Sequence, residues 1–292
     1  METRAKVRKP AVAGTFYPSS LASLRSQIES CFARPLGPGI LPQIGTAGPA
    51  TAGEFLGLVC PHAGYIFSGP VAAHSYLAAA SYGRPEVVVL LGPNHHTWKP
   101  PLASASLQSW QTPLGLSPIA HDLFRTIQEA CPALETSDDA HTLEHSLEVQ
   151  LPFLQYLYDK DVLIAPILMA DQSLPTAQEL GRAIARAVEG KRAIIIASSD
   201  FSHYETHTSA ALKDEAAISA ILQLDAEGLF RAVVLNKISM CGPGPVAAML
   251  TACSILGASR AELLRYATSG DVTGDYSRVV AYASLKVTGK SK

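Results

Sequence analysis

The stretch Ala193-Ile194-Ile195-Ile196-Ala197-Ser198-Ser199-Asp200-Phe201-Ser202-His203-Tyr204 decides the fold. Its first part is a short apolar run built on consecutive isoleucines, which reads as a buried β-strand. Its second part turns small, polar and titratable. A buried strand that delivers Ser, Asp and His at its carboxyl end is how an open α/β sheet usually builds a site, because the ends of parallel strands lie side by side at one crevice.

Working outward, the same pattern recurs. FLGLVC at 55–60 runs into Pro61-His62-Ala63-Gly64-Tyr65, and VVVLL at 87–91 runs into Gly92-Pro93-Asn94-His95-His96. A further strand is expected over 162–169, followed by Ala170-Asp171-Gln172. Helical spacing predicts helices over 21–32, 69–80, 119–130, 146–158, 176–189, 210–222, 226–236 and 246–256, with Ser20 and Ser173 as caps. The segments 9–20 and 36–53 read as loops, and 97–118 as irregular or short-stranded. Two closing strands, 262–268 and 278–287, are joined by a Gly/Asp-rich turn with no helix between them, so they are expected to be antiparallel. This alternation predicts one α/β domain over 1–292: a three-layer sandwich with a mixed central β-sheet flanked by helices on both faces.

The chain has 292 residues, 48% of them hydrophobic, which suffices for a large core. Net charge is -2 and no basic block occurs, so nucleic acid is not an expected partner. No apolar run approaches the roughly 18 residues that span a bilayer, and the first ten residues lack the apolar segment of a secretory signal. The five cysteines, Cys31, Cys60, Cys131, Cys241 and Cys253, are odd in number and scattered, with no CxxC pair. Neither a disulfide framework nor a zinc ribbon is indicated, and a reducing cytoplasmic setting is expected.

Three strand ends carry histidine: His62, the pair His95 and His96, and His203. One such residue alone would more simply be a loop histidine capping a carbonyl. Three at neighbouring strand ends favour a shared site, and imidazole is the commonest ligand for Zn, Fe and Cu. Local sequence does not separate His95 from His96. Cys241 precedes Gly242-Pro243-Gly244-Pro245 at the start of a helix, whose positive end is expected to favour the thiolate. The other four cysteines suit buried, inert positions.

The segment from Asp138 to Glu148 is dense in ligand-type groups. His141 and His145, like Glu144 and Glu148, are four apart and would share a face if the segment were helical. Acidic residues also belong in a first helical turn. From this segment His145 is selected as a site residue. Asp200 and His203 are three apart, and an Asp can orient a His that works as general acid or base. His74, His121 and His207 have no comparable context. No GxSxG, Walker A or GxGxxG motif occurs, so neither an α/β serine hydrolase nor a nucleotide cofactor is indicated.

Taken together these motifs resemble the Memo family, called AmmeMemoRadiSam system protein B in prokaryotes. The resemblance runs through AGTFYP (13–18), PHAGY (61–65), 68–76, LGPNHH (91–96), EHSLEVQLPFLQ (144–155), SSDFSHY (198–204), CGPGP (241–245) and the terminal SGD…YAS. It implies a fold similar to class III extradiol ring-cleaving dioxygenases, which use non-haem iron(II). It also implies a metal site of two histidines and a cysteine, matching His62, His95 and Cys241. His203 matches the acid/base position with Asp200 beside it, and His145 is a further cleft residue. The implied cofactor is one transition-metal ion, Fe(II) or Cu foremost, with Zn as the third choice. Dioxygenases of this fold carry a carboxylate where this chain has Cys241, and a softer thiolate shifts preference toward Cu(I), Zn or thiolate-ligated iron. Ordinary catechol cleavage is therefore not the expected reaction.

The leading reading is a mononuclear non-haem iron or copper redox enzyme, dioxygenase-like, acting on a small molecule that the sequence does not specify. The second is a non-catalytic metal-binding or protein-interaction module. The last is a metal-independent cysteine hydrolase, with Cys241 as nucleophile and His203 as base. The family name further implies a link to a radical-SAM protein and an AMME-type protein.

Overall fold

The computed structural model describes residues 6–43, 54–159 and 161–290. The isoleucine run forms the strand Ala193–Ser198, buried at every residue. It lies parallel to and between Glu54–Cys60 and Val87–Pro93, and Ile164–Met169 pairs parallel with the latter. These strands are almost continuously apolar because helices cover both faces and leave no side for water. Among the described residues nine strands make this sheet. On one flank Val279–Lys290 pairs antiparallel with Glu54–Cys60, and it also carries Ala258–Thr268 and the short His203–Glu205. On the other flank Leu102–Ser104 runs antiparallel to Ile164–Met169 and parallel to Leu134–Thr136. The sheet is mixed and the closing pair antiparallel, as expected, with both closing strands longer than their apolar periodicity indicates.

Gly69–Tyr82 packs on one face, against Glu54–Cys60 and Val279–Lys290, with Leu21–Ala33 and Leu151–Tyr158 beside it. Pro243–Ile255 covers the other face and carries Leu174–Val188. The close approach of Pro243–Ile255 depends on Gly57, where a Cβ would lie 2.7 Å from both Cys253 Sγ and Met249 Sδ. Ser20 caps Leu21–Ala33 by accepting the Ser23 N–H. Ser173 occupies the cap position of Leu174–Val188 without a capping bond. Its hydroxyl donates to Thr176 Oγ1, and the Asp171 carboxylate accepts its N–H instead.

The helix expected over 146–158 starts only at Leu151, after a 3-10 turn over Glu148–Gln150. Before it lies the short helix Asp138–Thr142, with Ser137 accepting the Ala140 N–H. The chain loosens between them because Glu144, Ser146, Glu148 and Gln150 are all buried polar residues turned toward separate partners. A regular helix could not aim them that way. The 97–118 region resolves into Leu102–Ser104, Ser109–Thr112 and Gly115–Pro118. The last two join Val7–Arg8, within the expected amino-terminal irregular region, in a second sheet of three strands. Strands of two or three residues are too short to show a period. Of the loop expected over 36–53, residues 44–53 lie outside the described residues. All five cysteines are free, and Cys31, Cys60, Cys131 and Cys253 are buried. Among the described residues no helix is long and apolar enough to cross a membrane.

Candidate metal centre

His62 follows the strand Glu54–Cys60, Asp200 follows Ala193–Ser198 and His95 follows Val87–Pro93, so neighbouring parallel strands deliver them to one edge of the sheet. Cys241 arrives from far along the chain. Gly242 allows this, because a Cβ there would lie 2.7 Å from the Ser198 carbonyl oxygen and 2.8 Å from Ser199 Cβ. Only a residue without a side chain lets the backbone press Cys241 onto the strand end. One donor atom each from His62, His95 and Cys241 lie within 4.8 Å of one another. His62 Nε2 and Cys241 Sγ are 3.1 Å apart. Ligands of a tetrahedral ion, at about 2.0–2.3 Å from it, sit roughly 3.3–3.7 Å from each other. The donor set thus has the size and the chemistry of an ion site. The His145 ring stacks on His95 at 4.8 Å and meets His62 edge-on at 5.5 Å, with Phe16 packed 4.8 Å from it.

Hydrogen bonds decide which ring nitrogen of each histidine is free. His62 Nδ1 is 2.9 Å from Ser198 Oγ. The Ser198 hydroxyl donates its only proton to the Ser146 carbonyl at 2.6 Å and accepts from Gln150 Nε2 at 2.8 Å. The orientation of the Gln150 amide is fixed, since its nitrogen also donates to the Pro61 carbonyl and its oxygen accepts the Tyr76 hydroxyl. Ser198 can therefore only accept from His62, which carries its hydrogen on Nδ1 and presents the Nε2 lone pair to Cys241. His95 Nδ1 lies 3.0 Å from Glu144 Oε1, and its backbone N–H donates to Glu144 Oε2 at 2.6 Å. His96 is exposed, with its N–H donated to Asn94 Oδ1. The choice the local sequence left open falls to His95 because Glu144 faces it. His203 Nδ1 faces the carbonyls of Phe201 at 2.7 Å and Ser239 at 3.0 Å, so it too is the protonated nitrogen.

Burial holds the His62 imidazole well below its ordinary pKa, helped by the neighbouring His145 and His95 rings. Burial likewise takes His145 down to about 4. It pushes the Asp200 carboxyl up to about 6, against the hydrogen bond from the His62 N–H. At Glu144 burial works upward, but the hydrogen bonds and charge of His95 outweigh it and hold the carboxyl below its usual range.

Two expectations are corrected here. The Cys241 thiol is pushed up, first by desolvation and then by the Asp200 carboxylate, so a helix start alone does not favour its thiolate. Asp200 makes no hydrogen bond to His203. Its Oδ1 accepts the His62 N–H at 2.8 Å and its own N–H points at Cys241 Sγ at 3.1 Å, so it pins the two neighbours of His203 instead.

The four-residue spacing in the acidic segment also fails as a guide. His141 is fully buried and meets Trp110 edge-on, while Glu148 pairs with Arg8. Of that segment Glu144, His145 and Ser146 reach the centre. Glu144, Ser198 and Gln150 are the supporting groups that sequence reasoning did not assign. Glu144 had one signal, its place just before His145. Ser198 and Gln150 are neutral and carried none.

The family model described as Memo-like protein matches residues 8–286. A MEMO1 family protein of Methanopyrus kandleri is 48% identical over 280 residues, covering 95% of this chain and 98% of that protein. One of Pyrobaculum aerophilum is 47% identical over 282 residues, covering 96% and 98%. One of Nitrosopumilus maritimus is 40% identical over 280 residues, covering 96% and 99%. Among solved structures, an uncharacterized protein of Escherichia coli K12 is similar with a TM-score of 0.52 at 14% identity, covering 79% of this chain and 98% of that one, a likeness of fold alone. With the family model spanning nearly all of it and relatives this similar over their full length, the chain belongs to the Memo family.

Proposed function

We propose that this chain binds one transition-metal ion through His62 Nε2, His95 and Cys241 Sγ and works as a dioxygenase-like redox protein on a small molecule. The observation that carries the reading is the convergence of the three donors within 4.8 Å, with each imidazole held by an acceptor at Nδ1. Two imidazoles and a thiolate suit iron(II) and copper, with zinc as the third choice. Such an ion, when bound, supplies Lewis acidity and, if iron or copper, one-electron chemistry.

The chain's own residues set the conditions. The Cys241 thiol must give up its proton before Sγ can ligate, so loading the site releases about one proton per chain. Asp200 holds the His62 backbone in place. His203 keeps Nε2 free to take or give a proton, because both of its Nδ1 partners are carbonyls. His95 is exposed, so a substrate can approach from that side, in keeping with the open position of a catalytic site and not with a closed structural one. A cysteine hydrolase has less support, since the Cys241 thiol is raised and nothing near it stabilises a free thiolate other than the Asp200 N–H.

The test is elemental analysis of anaerobically purified protein beside a Cys241→Ala variant. The expected result is about one ion per chain in the wild type and a loss of at least about tenfold in metal affinity in the variant. Equal metal in both removes Cys241 from the site, and no metal in either overturns the reading.

A further inference from the structure

A second cluster adjoins the first. Donor atoms of His95, Glu144 and His145 also lie within 4.8 Å of one another, and His95 belongs to both groups. Glu144 is almost wholly buried, and its surroundings are already complete without an ion. Its Oε2 accepts the His95 N–H at 2.6 Å, and its Oε1 accepts the Ser146 N–H at 2.8 Å. The same Oε1 lies 3.0 Å from His95 Nδ1 and 3.4 Å from His145 Nδ1. A carboxylate that collects backbone N–H groups on both oxygens is an acceptor at rest, and acceptors of this kind orient the rings beside them.

Ser146 extends the same turn toward the other imidazole. Its hydroxyl donates to the Pro93 carbonyl at 2.9 Å, and its own carbonyl takes the Ser198 proton, which forces Ser198 to accept from His62. We infer that the turn Glu144-His145-Ser146 is the device that sets the tautomer of both imidazole ligands, with Glu144 a positioning residue for His95 and no ligand of a second ion. The Glu144 carboxylate fixes His95 as the Nδ1–H form directly, and the Ser146 carbonyl fixes His62 through Ser198. This inference rests on the metal-binding reading above, in which both rings ligate through Nε2.

Two measurements separate the inference from that reading. Ring-15N histidine NMR of the metal-free protein reports each tautomer without any ion. Both His62 and His95 are expected as Nδ1–H forms in the wild type. In Glu144→Ala, His95 loses that preference while His62 keeps it. Cobalt(II) titration against a chromophoric chelator then reports affinity and stoichiometry. One ion per chain is expected in wild type and variant, bound about 10–100-fold more weakly in Glu144→Ala. Glu144→Gln falls between, because its amide oxygen still accepts from His95 Nδ1 while its NH2 opposes the His95 N–H; it also carries the comparison if the alanine variant does not fold. The inference is overturned if wild-type His95 is the Nε2–H form, or if Glu144→Ala leaves tautomer and affinity unchanged. A second cobalt ion lost selectively in Glu144→Ala overturns it as well. Correct tautomers with no cobalt uptake in the wild type would sink the metal reading and leave the positioning role of the turn standing.

Discussion

Ser198 governs a neighbouring imidazole without carrying any charge. Its hydroxyl, fully buried, accepts from Gln150 and His62 and donates to Ser146. Ser198→Ala therefore strands three polar groups at once. A buried group left unsatisfied costs about 1–3 kcal/mol, so the urea midpoint is expected to fall by an amount in that range or above it. The His62 ring-15N shifts should move away from the Nδ1–H form in the same variant. An unchanged His62 spectrum would mean that something other than the serine orients the ring. At the same scale, Cys241 shows why a local rule can mislead: the start of Pro243–Ile255 is close by, but desolvation and the Asp200 carboxylate act on the sulfur more strongly.

Among the elements, the segment over 8–17 straps the candidate site from outside. Glu148, with no exposure, accepts Arg8 Nη1 at 2.6 Å, the Ala11 N–H at 2.7 Å, the Val12 N–H at 3.0 Å and the Tyr17 hydroxyl at 2.7 Å. The Arg8 guanidinium spends its other donors on the carbonyls of His141 and Glu144, both at 2.7 Å, and lies 4.4 Å over the Trp110 ring. The strap sets Phe16 against His145 and ties down the backbone of Glu144. Removing one partner of such a pair leaves a buried charge alone and costs about 3–5 kcal/mol. Glu148→Ala is expected to lose that much in urea denaturation and to weaken cobalt binding as the Glu144 backbone loosens. A loss below about 1 kcal/mol would show that water reaches Arg8 once Glu148 is gone.

Over the whole molecule, the buried histidines give stability a pH dependence of definite sign. His141 has no exposure and neither ring nitrogen has a hydrogen-bond partner. Burial, with the Arg8 charge as the second cause, takes it down to about 4. In the unfolded chain a histidine titrates near 6.5. As pH falls, the unfolded state takes up the proton first, so stability is intact above about 6.5 and is lost on the way down to about 4. A shift of that size corresponds to something on the order of 3 kcal/mol. His62 and His145 act in the same direction, whereas Asp200, raised to about 6, acts oppositely between its unfolded value near 4 and 6. The His141 contribution is therefore read as a difference. Between pH 7 and pH 4.5, urea midpoints of the wild type should fall further than those of His141→Phe. Parallel curves would mean that His141 is protonated in the folded protein.

What the sequence by itself determined is whatever depends on neighbours along the chain. The apolar runs at 55–60, 87–91 and 193–196 specify buried parallel strands through their composition and length, and their polar ends bring His62, Asp200 and a histidine of the 95–96 pair to one edge. What only the tertiary structure decided is which groups face those residues from distant parts of the chain. His95 prevails over His96 because Glu144, 49 residues away, meets it. Cys241 reaches His62 across 179 residues because Gly242 lets the backbone close on the strand end. The acidic segment separates into Glu144 at the candidate centre and Glu148 at the strap because their partners lie on different elements. Periodicity and residue type encode which side chains are buried; the direction a buried polar group takes is fixed by the partner it meets, and that partner is supplied by topology.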